Sequence, residues 1–145
     1  MASELSAQVR LDHDLHFVGS AAAGHQVHMD SPATPGSSAG PTPMELVLMS
    51  LAGCSAMDVI SILRKKRQPV AGLEVGVRGQ RSDEYPTVYT AIQLEYVVRG
   101  AGVDPAAVVR AIELSRDHYC PVWAMLGQSA VITWSYRLTG DEPAA

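Results

Sequence analysis

The spacing of apolar residues changes repeatedly along the chain, and each change marks an element. From Leu5 to Phe17 the apolar positions Val9, Leu11, Leu15 and Phe17 alternate loosely with polar ones, which predicts one or two short strands. After Gly24, the segment His25 to Asp30 carries Val27 and Met29 on one side and reads as a further strand. Residues 31–42 are rich in Pro, Ser, Gly and Ala and predict a loop, long enough to be functional or mobile. A helix then begins. Thr42 is a good N-cap, Pro43 suits the first helical position, and Glu45 follows Thr42 by three residues, the spacing of a capping box. The helix should run to about Lys66, stopped by Pro69.

Two longer strands follow over 70–80 and 87–99, joined by the turn Ser82 to Pro86 as an antiparallel hairpin. Asp104 and Pro105 open a second helix reaching about Asp117, with Val108, Ile112 and, near the edge, Leu114 facing the sheet. Cys120-Pro121 starts a short third helix that ends near Gly127; residues 130–138 form a last strand, and 140–145 a flexible tail. There are no internal repeats. The order predicts a single α+β domain over 1–145, with antiparallel sheets packed around a long central helix. That helix is apolar nearly all round from Leu46 to Met57. A chain of 145 residues can hardly surround it alone, so burial against a second copy is expected.

Composition narrows the function. Almost half the residues are apolar and the net charge is −4, which suits a soluble core. The one basic run, Arg64 to Arg67, closes a helix and complements its dipole; no basic stripe interleaved with aromatics points to nucleic acid. Residues Met1 to Arg10 lack the apolar core of an export signal, and the longest apolar stretch falls short of the roughly 20 residues that span a bilayer. The expectation is a cytoplasmic protein with reduced thiols and no membrane partner. Its five histidines show no HExxH or Cys/His cluster spacing, so neither a metal nor a cofactor is expected.

The chemistry rests on Cys54 and Cys120, 66 positions apart and therefore no CxxC pair. Cys54 sits in the apolar helix beside Gly53, which lets another group approach the sulfur. By itself it reads as a small buried side chain with a raised pKa. Cys120 precedes a proline at a helix start, where free amides favour an anion, with Arg116 and His118 close by. Local physics thus makes Cys120 the more activated sulfur.

The segments Pro41-Thr42-Pro43-Met44-Glu45-Leu46, Leu51-Ala52-Gly53-Cys54-Ser55-Ala56 and Asp117-His118-Tyr119-Cys120-Pro121-Val122 resemble the paired signatures of the OsmC/Ohr superfamily. Gly24-His25-Gln26 and Asp58 to Leu63 look most like its YhfA-type branch. The resemblance implies an OsmC-like fold in an intertwined homodimer with sites at the subunit interface. It further implies thiol-dependent reduction of organic hydroperoxides, with Cys54 peroxidatic, Cys120 resolving and an external thiol as reductant. The alternative is a non-enzymatic module that binds a hydrophobic small molecule or senses oxidation. Departures from the pattern bear on that choice. The family glutamate position, ten before the first cysteine, is Met44. Glu45 lies two and a half helical turns from Cys54, on the opposite side of the helix. Arg10 is the only arginine among the N-terminal strands, and Asp58, one turn after Cys54, opposes thiol ionisation if charged and close. For the dimer, light scattering at micromolar concentration should give about twice the chain mass; a stable folded monomer would refute it.

Overall fold

The computed structural model describes residues 3–33 and 38–140. The chain divides into two compact units, Met1–Val47 and Leu48–Ala145. Residues 34–37 of the expected loop and 141–145 of the expected tail lie outside the described residues.

The first unit is a three-stranded antiparallel sheet of β1 (Ala7–His13), β2 (His16–Ala21) and β3 (Gln26–Met29), in the order β1-β2-β3. Its first hairpin is tight because Asp14 takes a positive φ of 47°, which aspartate tolerates better than most residues. After β3 the Asp30 carboxylate accepts from the Ser31 and Ala39 amides, and the Asp30 amide donates to the Pro41 carbonyl. The returning chain runs so close to β3 that a Cβ at position 40 would stand 2.1 Å from the His28 carbonyl oxygen. Only glycine fits there.

Helix α1 (Pro43–Lys65) starts in this unit and continues into the second. The expected capping box forms. The Thr42 amide and hydroxyl both donate to Glu45 Oε1 at 3.0 Å, and the Glu45 amide donates to Thr42 Oγ1 at 3.2 Å. By length and composition α1 is apolar enough to cross a bilayer, but Leu51, Ser55, Val59 and Leu63, spaced four apart, are fully buried in the second unit. Met49 and Met57 project outward, 51% and 73% exposed, so the chain covers only one face of this helix. The other face carries the apolar residues behind the expectation of a second copy.

The second unit adds β4 (Gly72–Arg81), β5 (Tyr89–Arg99), α2 (Pro105–Leu114), α3 (Pro121–Leu126) and β6 (Val131–Thr139). Strand β5 is central, and its alternate residues Ile92, Leu94, Tyr96 and Val98 are buried with Val108 and Ile112 of α2. Leu114 is only half-buried at the edge of that face. β4 pairs with β5 antiparallel, as the hairpin pattern predicts. The expectation of wholly antiparallel sheets fails at β6, which pairs with β5 in parallel from Ala91↔Val131 to Arg99↔Thr139. The reason lies in the connection. Between β5 and β6 the chain rises through α2 and α3, a helical crossover long enough to bring it back to the end where β5 began.

Asp104 caps α2 by accepting from the Ala106 amide at 3.0 Å. The helix does not run to Asp117 as α-helix. At Ser115–Tyr119 it widens into one π-turn, in which the Cys120 amide donates to the Ser115 carbonyl at 2.8 Å.

The cap of α1 yields a pH signature. Hydrogen bonds from the Thr42 amide and hydroxyl hold the Glu45 carboxyl below its ordinary value of 4.5. A depressed carboxyl stabilises the fold above the unfolded-state value and loses that contribution as pH falls through the folded one. In denaturation experiments Glu45→Ala should therefore be less stable than the parent at neutral pH and converge with it in acid. Thr42→Ala should cost about 1 kcal/mol. A gap between Glu45→Ala and the parent that persists in strong acid would argue against a charge-dependent cap.

Candidate functional site

Cys54, Ser55 and Asp58 of α1, Ser115 of the π-turn, Cys120 at the start of α3 and Tyr96 of β5 build the site, all within the second unit. Cys54 and Asp58 lie one turn apart on α1 and so share a face. The π-turn and the start of α3 bring Cys120 to the same place. Both Sγ atoms and one Asp58 carboxylate oxygen lie within 4.8 Å of one another. Both cysteines are free thiols, Cys120 buried and Cys54 half-buried.

A line of hydroxyls backs the carboxylate. Ser115 Oγ donates to Asp58 Oδ2 at 2.9 Å, Ser55 Oγ lies 2.8 Å from Ser115 Oγ, and Tyr96 Oη lies 2.6 Å from Ser55 Oγ. Each hydroxyl has one proton to give. Because Ser115 spends its proton on Asp58, it accepts from Ser55, and Ser55 in turn accepts from Tyr96. All three dipoles point at the carboxylate. Ser55, Ser115 and Tyr96 are fully buried, and burial pushes the tyrosine hydroxyl up to about 12, so it stays a donor.

The expectation of an activated Cys120 is overturned. Its Sγ does cap α3, accepting from the Trp123 amide at 3.3 Å. Burial outweighs that help, and with the neighbouring Cys54 and Asp58 it pushes the Cys120 thiol up to about 12. Nor do the nearby basic side chains assist. Arg116 grips Asp117 instead, at 2.7 and 3.1 Å, and the His118 ring lies against Tyr119. Arg10 sits on the exposed strand β1, opposite Val18. Glu45 is committed to its cap.

Sequence reasoning singled out Cys54 and Cys120 as site residues and raised Asp58 only as a charge opposing Cys54 ionisation; the fold brings all three together. It missed the three hydroxyls. Their signal was present as polarity on a core stripe: Ser55 interrupts Leu51-Val59-Leu63, Ser115 extends Val108-Ala111-Ile112, and Tyr96 alternates with Leu94 and Val98. Asp58 also borders a groove of about 370 Å³ lined by Ser61, Ile62, Lys65, Leu114 and Tyr119. Of the three clustered groups, Asp58 is the one that borders this groove. Chemically, two thiols and a carboxylate so placed can form a disulfide, shuttle a proton, or bind a thiophilic metal ion.

A family model described as OsmC-like protein matches residues 35–135, about two-thirds of the chain. The chain belongs to the OsmC-like family. Among curated relatives of this OsmC-like protein, Protein YhfA of Escherichia coli (strain K12) is 44% identical over 134 residues, covering 92% of this chain and 98% of that one. The crystal structure of a hypothetical protein from Aquifex aeolicus VF5 is 30% identical with a TM-score of 0.86, covering 97% of this chain and 100% of that one. An organic hydroperoxide resistance protein OsmC from Legionella pneumophila shares the fold at a TM-score of 0.65 and 12% identity, covering 94% and 98%.

The two thiols of this OsmC-like protein should differ in reactivity. At near-neutral pH a small alkylating reagent should modify Cys54 well before Cys120, as read by peptide mass spectrometry. Cys120 should become reactive in the folded chain only as pH climbs toward about 12. Equal labelling of both at neutral pH would contradict the burial argument.

Proposed function

We propose that this OsmC-like protein reduces organic hydroperoxides by a two-cysteine mechanism, with Cys54 peroxidatic and Cys120 resolving. The observation that carries the reading is the convergence of two sulfurs, 66 positions apart in sequence, on one carboxylate within 4.8 Å. The shared fold of the Legionella hydroperoxide resistance protein is in keeping with it. The family glutamate position is Met44, and in this reading Asp58 supplies the carboxylate instead.

The steps balance as follows. Asp58 takes the proton of the Cys54 thiol. The thiolate attacks the terminal oxygen of the hydroperoxide, the O–O bond breaks, and the departing alkoxide takes the proton from Asp58 and leaves as the alcohol. Cys54 is now a sulfenic acid. The Cys120 sulfur attacks it, a disulfide forms, and the hydroxyl leaves as water with the Cys120 proton. External thiol then reduces the disulfide, two thiol groups being oxidised to a disulfide in the exchange. The high pKa of Cys120 suits the second role, because it keeps that thiol protonated until Cys54 has been oxidised. The hydroxyl line from Tyr96 steadies the carboxylate while it alternates between charged and neutral.

The working unit in this reading is a homodimer, with the projecting Met49 and Met57 face of α1 covered by a second copy. In this reading the apolar part of the hydroperoxide lies along Ile62, Leu114 and Tyr119 of the groove that Asp58 borders.

The test is hydroperoxide consumption with several dithiol reductants, run beside three variants. Cys54→Ser should fall to the uncatalysed background. Asp58→Asn should lose about 100-fold or more, the scale of a general acid–base group. Cys120→Ser should accumulate Cys54 sulfenic or sulfinic acid, whereas the parent chain gives a Cys54–Cys120 disulfide in peptide mass spectrometry. Consumption by the parent no faster than by Cys54→Ser, with every reductant, would overturn the enzymatic reading. If the disulfide still forms under those conditions, the chain is an oxidation sensor.

A further inference from the structure

A second cluster of ligating side chains lies in the first unit, where the sequence shows no metal motif. Around the β1–β2 turn, Asp12, His13 and His16 each offer one ligand atom, and the three atoms lie within 4.8 Å of one another. The hairpin register produces this grouping. His13 and His16 are the last paired residues, and Asp14 with its positive φ closes the turn between them. The Asp12 and His13 side chains are exposed, and His13 Nδ1 lies 2.5 Å from Asp12 Oδ2.

His16 is the decisive residue. It is 8% exposed, and its Nδ1 is a buried ring nitrogen without a hydrogen-bond partner. That nitrogen stands 3.4 Å from Asp12 Oδ2. Its other nitrogen, Nε2, is 2.9 Å from His28 Nδ1 on β3. When Nε2 carries the proton and donates to His28, the buried Nδ1 presents a bare lone pair toward a carboxylate oxygen. In that tautomer two electron-rich atoms face each other at 3.4 Å. Buried polar atoms are rarely left this way, and an orphaned one calls for a partner. A cation supplies it.

We propose that Asp12, His13 and His16 form a binding site for a divalent transition-metal ion of the zinc class. Two imidazoles and a carboxylate suit such an ion and leave a fourth position open to water or an outside ligand. Zinc bonds of about 2.0–2.1 Å put neighbouring ligand atoms on the order of 3.4 Å apart, which the His16–Asp12 spacing already meets. His13 reaches the ion by giving up its hydrogen bond to Asp12, a change open to an exposed side chain. His28 acts as the outer partner that fixes the His16 tautomer, as such partners do in metal sites. The site is independent of the peroxide chemistry and shares no residue with it.

The thiol cluster would compete for zinc, so the test uses the full chain carrying Cys54→Ser and Cys120→Ser. Zinc is titrated against a chromophoric chelator, with circular dichroism to verify the fold. One zinc per chain should bind, and the melting temperature should rise with zinc. Asp12→Asn and His13→Ala alter exposed side chains and should each weaken binding at least tenfold with the fold intact. His16→Gln should abolish it. A chain that binds zinc no better than its Asp12→Asn/His13→Ala counterpart overturns the proposal. So does undiminished binding in both single variants, which would put the ion on other ligands.

Discussion

The hydrogen bond from Ser115 to Asp58 is the joint on which the rest of the cysteine site depends. Asp58 belongs to α1 and Ser115 to the π-turn after α2, and the line of hydroxyls continues through Ser55 to Tyr96 of β5. Three elements are thereby tied at one buried point. A buried polar group without partners costs about 1–3 kcal/mol, so each member holds the others in place. Because the π-turn begins at Ser115, the same bond also sets where Cys120 emerges. Without the extra residue of that turn the chain would advance by about 100° less around the helix axis, and the sulfur would face elsewhere.

The electrostatics of the pair follow from its surroundings. Cysteines at helix starts are commonly acidic, and Cys120 has the geometry, with the Trp123 amide aimed at its sulfur. It also has a buried setting and two neighbours, Cys54 and Asp58, that become negative when ionised. Desolvation wins, and the helix start, only six residues of α3, is too slight a counterweight. What remains is a buried Cys120 thiol held protonated beside Cys54 and Asp58.

Topology explains how residues so far apart in sequence share one pocket. The crossover from β5 through α2 and α3 to β6 passes over the sheet and delivers the π-turn to the buried side of α1. Had β6 returned antiparallel through a short loop, Ser115 and Cys120 would have had no helix to stand on. The parallel pairing of β5 and β6 is thus part of the site's construction.

Much of this was legible in the residues themselves, because local rules govern it. The capping box at Thr42 and Glu45, the Asp104-Pro105 start of α2 and the β4–β5 hairpin all follow from local spacing, while the pairing of Cys54 with Cys120 came from the family signature. The cap, the helix start and the hairpin depend on neighbours a few residues away, where the physics is short-ranged. Strand direction at β6, the π-turn, the hydroxyl line and the Asp12-His13-His16 grouping depend on residues from different elements. No periodicity encodes them. The reversal at Cys120 shows the limit most clearly: its sequence context promised a stabilised thiolate, and burial decided otherwise. A side chain's pKa is set by the solvent it loses and the charges it gains, and both are known only once the chain has folded around it.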